Sequence, residues 1–353
     1  MGKIAQDLIL LEAGYIIEYI KKVLEQAGVR EDVSCHVAEG LVQASVRGID
    51  SHGIRLLPHY LKGVEGGRIN KNPCFVFNKT SASTGKLDGD HTFGHASGVE
   101  GMNKAIEMAT EAGTGHVAVY NSSHFGAAAF FALLAAKQDM IGMCFTNATP
   151  HVLTTGSNRA FFGNNPVCFV APCDGEEPFC LDMATSAITF NRVMQHKESN
   201  SQIPTDSVAD ANGNPTTDPD KAKYLLPIGD YKGYGLSMMV DVFCSLLSGM
   251  PCGNDVSEMY SGKMSKRRHL GHFFTALRID CFEEVSVFKQ RMAGMMKALR
   301  SEPRRDKDVP VQVPGDPEKK IAEIRLKEGI PVSRQLLDNF VQIGKNYKVD
   351  FDL

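Results

Sequence analysis

The sequence contains no tryptophan, and its nine cysteines, an odd number, run from Cys35 to Cys281 without a single C-x-x-C pair. Disulfide frameworks and zinc modules need close, paired spacings, so neither fits, and the thiols read as reduced packing residues of a cytoplasmic protein. No stretch approaches the ~20 uninterrupted apolar residues of a membrane span. Asp7, Glu12 and Glu18 break the apolar N-terminal run at helical intervals, which argues against a signal peptide. Gln6 stands where a myristoylation signal beginning Met1-Gly2 wants Ser or Thr. An excess of either charge is also missing: 38 Lys plus Arg against 41 Asp plus Glu leave -3, which gives no electrostatic reason for a nucleic-acid partner.

The common nucleotide signatures are absent as well. No G-x-G-x-x-G follows a strand and opens a helix. The nearest approach, Gly113-Thr114-Gly115-His116-Val117-Ala118, precedes its strand, so its amides cannot cradle a pyrophosphate at a helix N-terminus. There is no Walker A loop and no G-x-S-x-G elbow.

What remains is an ordinary globular chain of 353 residues, 43% apolar and 22% charged, long enough for roughly two domains. Leu8, Leu11, Ile16, Ile20, Val23 and Leu24 keep a 3.6-residue period and predict a helix over 7–28, and a second is expected over 32–47. From Pro73 short β-like runs (75–77, 117–120, 141–146, 167–171) alternate with Ala-rich helical stretches (97–112, 126–138), the pattern of an α/β domain. A polar loop region follows over 196–223. Residues 235–247 read as a buried helix, 282–300 as an amphipathic helix, 302–308 as a charged linker and 326–353 as one closing helix. No internal repeat is present.

Four polar clusters interrupt the apolar pattern. Asn121-Ser122-Ser123-His124-Phe125-Gly126 joins a strand to a helix and places His124 at a strand end, near the positive end of the next helix. An imidazole kept neutral there can accept a proton at pH 7. The same residues equally suit a helix cap beside a core histidine. In Asp50-Ser51-His52-Gly53, flanked by Arg47 and Arg55, the hydroxyl, imidazole and guanidinium groups suit a carboxylate or carbonyl, although an ordinary helix cap explains Asp50 or Ser51 as well. Asp182-Met183-Ala184 ends a strand-like run, and Lys232-Gly233-Tyr234-Gly235 offers a cation beside two glycines at a helix start.

In order along the chain, 47–53, 121–126, Gly163-Asn164-Asn165-Pro166, 182–186, 213–219, 232–236 and Val313-Pro314-Gly315 resemble the signatures of the non-Rossmann malate/L-lactate dehydrogenase family, which includes ureidoglycolate and sulfolactate dehydrogenases. The resemblance implies a homodimeric, NAD- or NADP-dependent oxidoreductase interconverting small 2-hydroxy and 2-oxo acids, with no metal. The implied fold is α/β, with a family-specific NAD(P)-binding mixed-sheet domain (76–235) inserted in a mainly helical domain (1–75 plus 290–353, for substrate and dimerisation) and a small helical subdomain (236–289). By the family pattern His124 is the acid/base and Ser51 and His52 face the substrate. Asp182, Met183, Ala184, Lys232, Pro314, Gly315 and Asp316 bind the cofactor.

One departure stands out. Where the family carries Arg, four residues after the S-H-G histidine, this chain has Leu56. The nearby guanidinium is Arg55, about 100 degrees away around a helix, and it is the candidate carboxylate ligand. Residues 249–260 look more like the ureidoglycolate branch. Malate-like dicarboxylate and ureidoglycolate-like substrates are therefore both open, as are reduction of a cyclic imino acid and a silent nucleotide-binding homologue.

Overall fold

The computed structural model describes residues 8–260 and 262–352, so the signal-peptide and myristoylation expectations that rest on residues 1–7 lie outside the described residues. The chain starts with β1 (Leu8–Leu11) and then the helices α1 (Ala13–Gln26), α2 (Glu31–Val46) and α3 (Leu57–Glu65). Leu8–Leu11 are a strand where a helix was expected, because they pair antiparallel with Ile330–Ser333 near the other end of the chain. Ile16, Ile20, Val23 and Leu24 of α1 and Val33, Val37 and Leu41 of α2 are fully buried, and they share one core with Leu57, Tyr60 and Leu61 of α3 and with Ala322, Leu337 and Phe340. Arg47 to Leu56 connects α2 to α3 through two single 3-10 turns, Asp50–His52 and Ile54–Leu56.

The mixed α/β architecture centres on seven strands. β2 (Val76–Lys79), β3 (Thr84–Asp88), β4 (Thr114–Ser122), β5 (Met140–Thr146), β8 (Val167–Ala171), β9 (Phe179–Met183) and β13 (Leu270–Arg278) stand in the order β2-β3-β4-β13-β5-β8-β9. Only β3 and β4 run parallel, joined by the crossover helix α4 (Gly94–Ala112); every other neighbouring pair is antiparallel. Alternation decides the faces. Val117, Val119, Cys144, Cys168, Phe274 and Ala276 point to α4 and α5 (Ala129–Ala136), while Ala118, Phe145 and Phe273 point to the opposite side. β13 falls inside the segment expected to be a small helical subdomain, yet it is the central strand. It is buried on both faces, so its sequence shows no period-2 signal.

A second sheet of short strands, β6 (Val152–Leu153), β7 (Ala160–Phe162), β10 (Val208–Ala209), β11 (Pro215–Thr216) and β12 (Tyr224–Leu225), packs with α6 (Phe190–Glu198) around Val152, Phe162, Val193 and Leu225. It is followed by α7 (Tyr231–Asp241), which runs on into a π turn, Val242–Leu246. This helix was expected to be buried. Val240 and Cys244 do pack on the sheet, but Leu236, Met238, Val242, Leu246 and Leu247 are exposed, Leu246 at 63%.

α8 (Val285–Arg300) places Met292 and Met296 against Ala171, the last residue of β8, and Cys173 just beyond it. The single closing helix expected over 326–353 is instead α9 (Asp316–Glu328), β14 (Ile330–Ser333) and α10 (Arg334–Tyr347). Gly329 and Pro331 end α9, and pairing with β1 holds the break extended.

Candidate active site around His124

β4 ends at Ser122, and the chain turns through Ser123, His124 and Phe125 before α5 begins at Ala129. The helix starts later than expected, and its first amide, Ala129 N, is capped at 2.8 Å by the Asp182 carboxylate. A helix end therefore does not set the state of His124. Burial does: it holds the imidazole pKa well below its usual value, with smaller repulsions from His52, His95, Arg268 and His59. The ring is neutral at pH 7 for a reason that the local sequence does not carry.

Two rings fix its orientation. The Tyr60 hydroxyl lies 2.7 Å from His124 Nδ1, and His52 stacks on His124 with ring centroids 5.5 Å apart and planes at 22°. Tyr60 is held in turn by edge contacts with Phe93 and His95. Tyr60 comes from the buried face of α3 and His52 from the first of the two 3-10 turns before it. Ser51 Oγ is 2.8 Å from His52 Nδ1, and Asp50 is clamped by both terminal nitrogens of Arg325 from α9. Gly53 is required by proximity: a Cβ there would run into Ser45 of α2, whose hydroxyl accepts the Ile54 amide at 3.0 Å. The structure thus brings Ser51, His52 and His124 together. Among the described residues His124 Nε2 carries no hydrogen bond to protein, which leaves it for a ligand.

Behind the site runs a buried chain of hydrogen bonds: Ser97 Oγ to Ser122 Oγ at 2.7 Å, Ser122 Oγ to His272 Nε2 at 2.7 Å, and His272 Nδ1 to Thr146 Oγ1 at 2.8 Å. Each side chain finds a partner, so this network braces the end of β4 against β13 and β5. Burial drives the His272 pKa to about 3, which keeps it a neutral strut.

Arg55 is exposed and makes no ion pair among the described residues, while Leu56 is sealed in the helical core. The guanidinium that reaches the site is Arg268. It is 4% exposed, Nε donates to Ser257 Oγ and Nη2 to Thr149 Oγ1, both at 3.1 Å, and its charge acts on His124, His59 and Tyr60. Sequence reading missed Tyr60, His95 and Arg268. Tyr60 passes for a core aromatic, and Arg268 lies in a run of basic residues, Lys266-Arg267-Arg268, that suggests a solvated turn.

The expected cofactor residues sit on three segments, one at the end of β9, one packed against that strand and one on a helix tied to the residues just after it. Asp182, Met183 and Ala184 are partly exposed at the strand end. Gly315 lies against the same strand, since a Cβ on it would come within 3.1 Å of the Cys180 carbonyl oxygen, and its φ of +96° suits glycine. Asp316 is fixed by both Arg300 Nε and Nη2 and by the Val313 amide. Thr185 Oγ1 meets Ser237 Oγ of α7 at 2.7 Å, which ties in the helix that carries Lys232, exposed on its first turn. The Asn164 side-chain oxygen is buried without a partner beside this strand end, where its backbone oxygen accepts the Thr185 amide. An unfilled acceptor, an apolar Met-Ala surface and a free lysine are a donor set that fits a carboxamide, a ring and a phosphate. Burial raises the Asp182 pKa to about 6.

Known proteins resemble this chain along nearly its whole length. Residues 12–341 match the family model described as malate/L-lactate dehydrogenase. The malate dehydrogenase of Pyrococcus abyssi is 33% identical over 358 residues, covering 99% of this chain and 98% of that protein. The NAD(+) ureidoglycolate dehydrogenase of Escherichia coli O157:H7 is 34% identical over 284 residues, 80% of this chain and 81% of that one. The crystal structure of malate dehydrogenase from Entamoeba histolytica superposes with a TM-score of 0.92 at 29% identity, over 98% of this chain and 100% of the other. A model match over nearly the whole length, with relatives above 30% identity end to end, makes this chain a dehydrogenase of the malate/L-lactate dehydrogenase family.

Proposed function

We propose that this protein oxidises a small 2-hydroxy acid reversibly to the 2-oxo acid, with NAD or NADP as its partner and His124 as the acid/base. The observation that carries this reading is the neutral His124 imidazole, with Nδ1 engaged by Tyr60 and Nε2 left open beside Arg268. Bound at 182–184, Lys232 and 314–316, a nicotinamide group supplies the hydride acceptor. The protein supplies the rest. The Arg268 guanidinium holds the substrate carboxylate, with Arg55 at the exposed rim, and Ser51 and His52 border the hydroxyl-bearing carbon. His124 Nε2 takes the hydroxyl proton as the carbonyl forms and returns it in the opposite direction. The Tyr60 oxygen accepts from Nδ1–H, which leaves the Nε2 lone pair free in the neutral ring and supports the imidazolium once the proton has moved.

A homodimer fits this reading, and the exposed apolar face of α7 supports it. The test is to incubate the protein with NAD or NADP and a panel of 2-hydroxy acids while following absorbance of the reduced nicotinamide. Turnover is expected with at least one acid. His124→Ala should lose about 10²-fold or more in kcat while reduced-cofactor binding, read from its emission, stays within about threefold of the parent. Equal loss of cofactor binding would make His124 a structural residue, and binding without any turnover would point to a silent homologue.

A further inference from the structure

Arg268 owes its place to a loop. Among the described residues, 257–268 contains no helix or strand, and its two ends meet beside Thr149. Ser257 Oγ donates to the Arg268 carbonyl at 3.0 Å and accepts from Arg268 Nε at 3.1 Å. Thr149 Oγ1 donates to the Ser257 carbonyl at 3.2 Å and accepts from Arg268 Nη2 at 3.1 Å. A closed neck on a stretch of this length makes an Ω-loop. Among the described residues one backbone bond lies inside it, Lys266 N to Lys263 O at 3.0 Å, so its carbonyls need donors from elsewhere.

Arg68 supplies them. The side chain is 4% exposed, and its Nε donates to the Lys266 carbonyl at 3.1 Å, Nη1 to Met259 at 2.7 Å and Nη2 to Lys263 at 3.2 Å. A planar guanidinium can address three carbonyls in fixed directions at once, and their dipoles answer its buried charge. Gly66, which caps α3, touches the same loop: a Cβ there would lie 2.5 Å from Met264 Cβ and 2.7 Å from the Met264 carbonyl oxygen. Met259 packs on the helical core. The loop therefore docks on the end of α3 before it returns to β13.

That crossing matters because the site is built from two sides. His52 and Tyr60 belong to the helical body, whereas His124 follows β4 and Arg268 precedes β13. Arg268 stands before the first ladder pair, Leu270 with Ser122, and His269 between them has a φ of +50°, so no sheet bond aims its side chain. We propose that Arg68 is a positioning residue: by bracing loop 257–268 from within, it holds Arg268, and with it the substrate, in register with His124 and Tyr60. This rests on the dehydrogenase reading above. Tyr260 rides on the same loop, with its ring against His59 at 5.0 Å, so the brace sets that wall as well.

The test uses malate and ureidoglycolate as substrates. Arg68→Ala should raise KM about tenfold, with kcat and reduced-cofactor affinity within about threefold of the parent. Gly66→Ala removes no charge but pushes on the Met264 backbone, and it should raise KM in the same sense. In an Arg268→Gln background Arg68→Ala should change kcat/KM, or substrate affinity where turnover is too slow, by less than about twofold, because its effect runs through Arg268. Amide hydrogen exchange should quicken across 257–268 in Arg68→Ala and stay as in the parent for β4 and α7. Parent values of KM in both single variants overturn the inference, as does an additive loss in the double variant. Faster exchange spread over the whole helical body would also overturn it, making Arg68 a general stabiliser. If Arg68→Ala does not fold, Arg68→Lys, which keeps the charge but not the three-way fork, takes its place with an intermediate rise in KM expected. Should neither acid turn over with either cofactor, the dehydrogenase reading fails, and the exchange pattern still decides whether Arg68 braces the loop.

Discussion

Tyr60→Phe removes one oxygen from the protein, and its consequences can be worked out from the site. The phenol is 2% exposed, and its ring meets Phe93 and His95 edge-on at 5.8 and 5.6 Å, so phenylalanine keeps the packing. What disappears is the 2.7 Å bond to His124 Nδ1. A hydrogen bond of this kind contributes about 0.5–1.5 kcal/mol to stability, and a buried nitrogen left without a partner costs about 1–3 kcal/mol. The unfolding free energy should therefore fall by about 1 kcal/mol, a small change in a urea titration.

The effect on rate should be larger, because the bond selects which imidazole nitrogen carries the proton. When Nδ1 donates to the phenol oxygen, Nε2 presents its lone pair to the substrate. If loss of that selection costs about 1–3 kcal/mol in the transition state, kcat falls roughly 5- to 150-fold. Steady-state assays of reduced nicotinamide should show this fall with cofactor affinity unchanged. A variant with kcat within twofold of the parent would refute the reasoning, because the Tyr60 contact would then serve packing alone.

Two further outcomes follow from features away from the reacting atoms. His95 and His272 are 1% and 0% exposed, and burial brings both to a pKa of about 3. The unfolded chain takes up their protons below about pH 6.5 while the folded one does not, so stability is full above that pH and drops by about 1.4 kcal/mol per unit for each. At pH 5 the pair costs about 4 kcal/mol, and Asp182, whose raised pKa of about 6 works in the opposite sense, returns about 1.4 kcal/mol. Urea midpoints at pH 7.5 and 5.0 should differ accordingly, and equal midpoints would contradict the burial of these rings. Leu246→Glu places a charge on the exposed apolar face that runs from α7 into its π turn and should convert a dimer to monomer in sedimentation at micromolar concentration; an unchanged sedimentation coefficient would place the subunit contact elsewhere.

The parts of the fold readable in the sequence are those with a period or a turn. α1, α2 and α8 show clear 3.6-residue spacing, and β4, β5 and β8 are bounded apolar runs. β13 escaped because Leu270–Arg278 is buried on both faces, and a strand of that kind shows no alternation. β14 escaped because its four residues acquire their conformation from β1, more than three hundred positions away. In the site, Ser51, His52 and His124 are visible as motifs because each lies at a local break in apolar pattern. Tyr60 and Arg268 are not, since what draws them into the candidate site is a partner 64 residues distant in one case and burial with hydrogen bonds to Ser257 and Thr149 in the other.

The position of β13 has a consequence for how the protein comes into being. β4 and β5 do not pair with each other; both bond to β13, and the bracing His272 lies on it. Until residue 278 has been synthesised the sheet exists as two halves, β2-β3-β4 and β5-β8-β9, each with one long hydrogen-bonding edge unfilled. A nascent chain therefore carries its motif histidine at the rim of an open half-sheet for more than 140 residues. Insertion of one late strand then closes both edges and stiffens the active site in the same event.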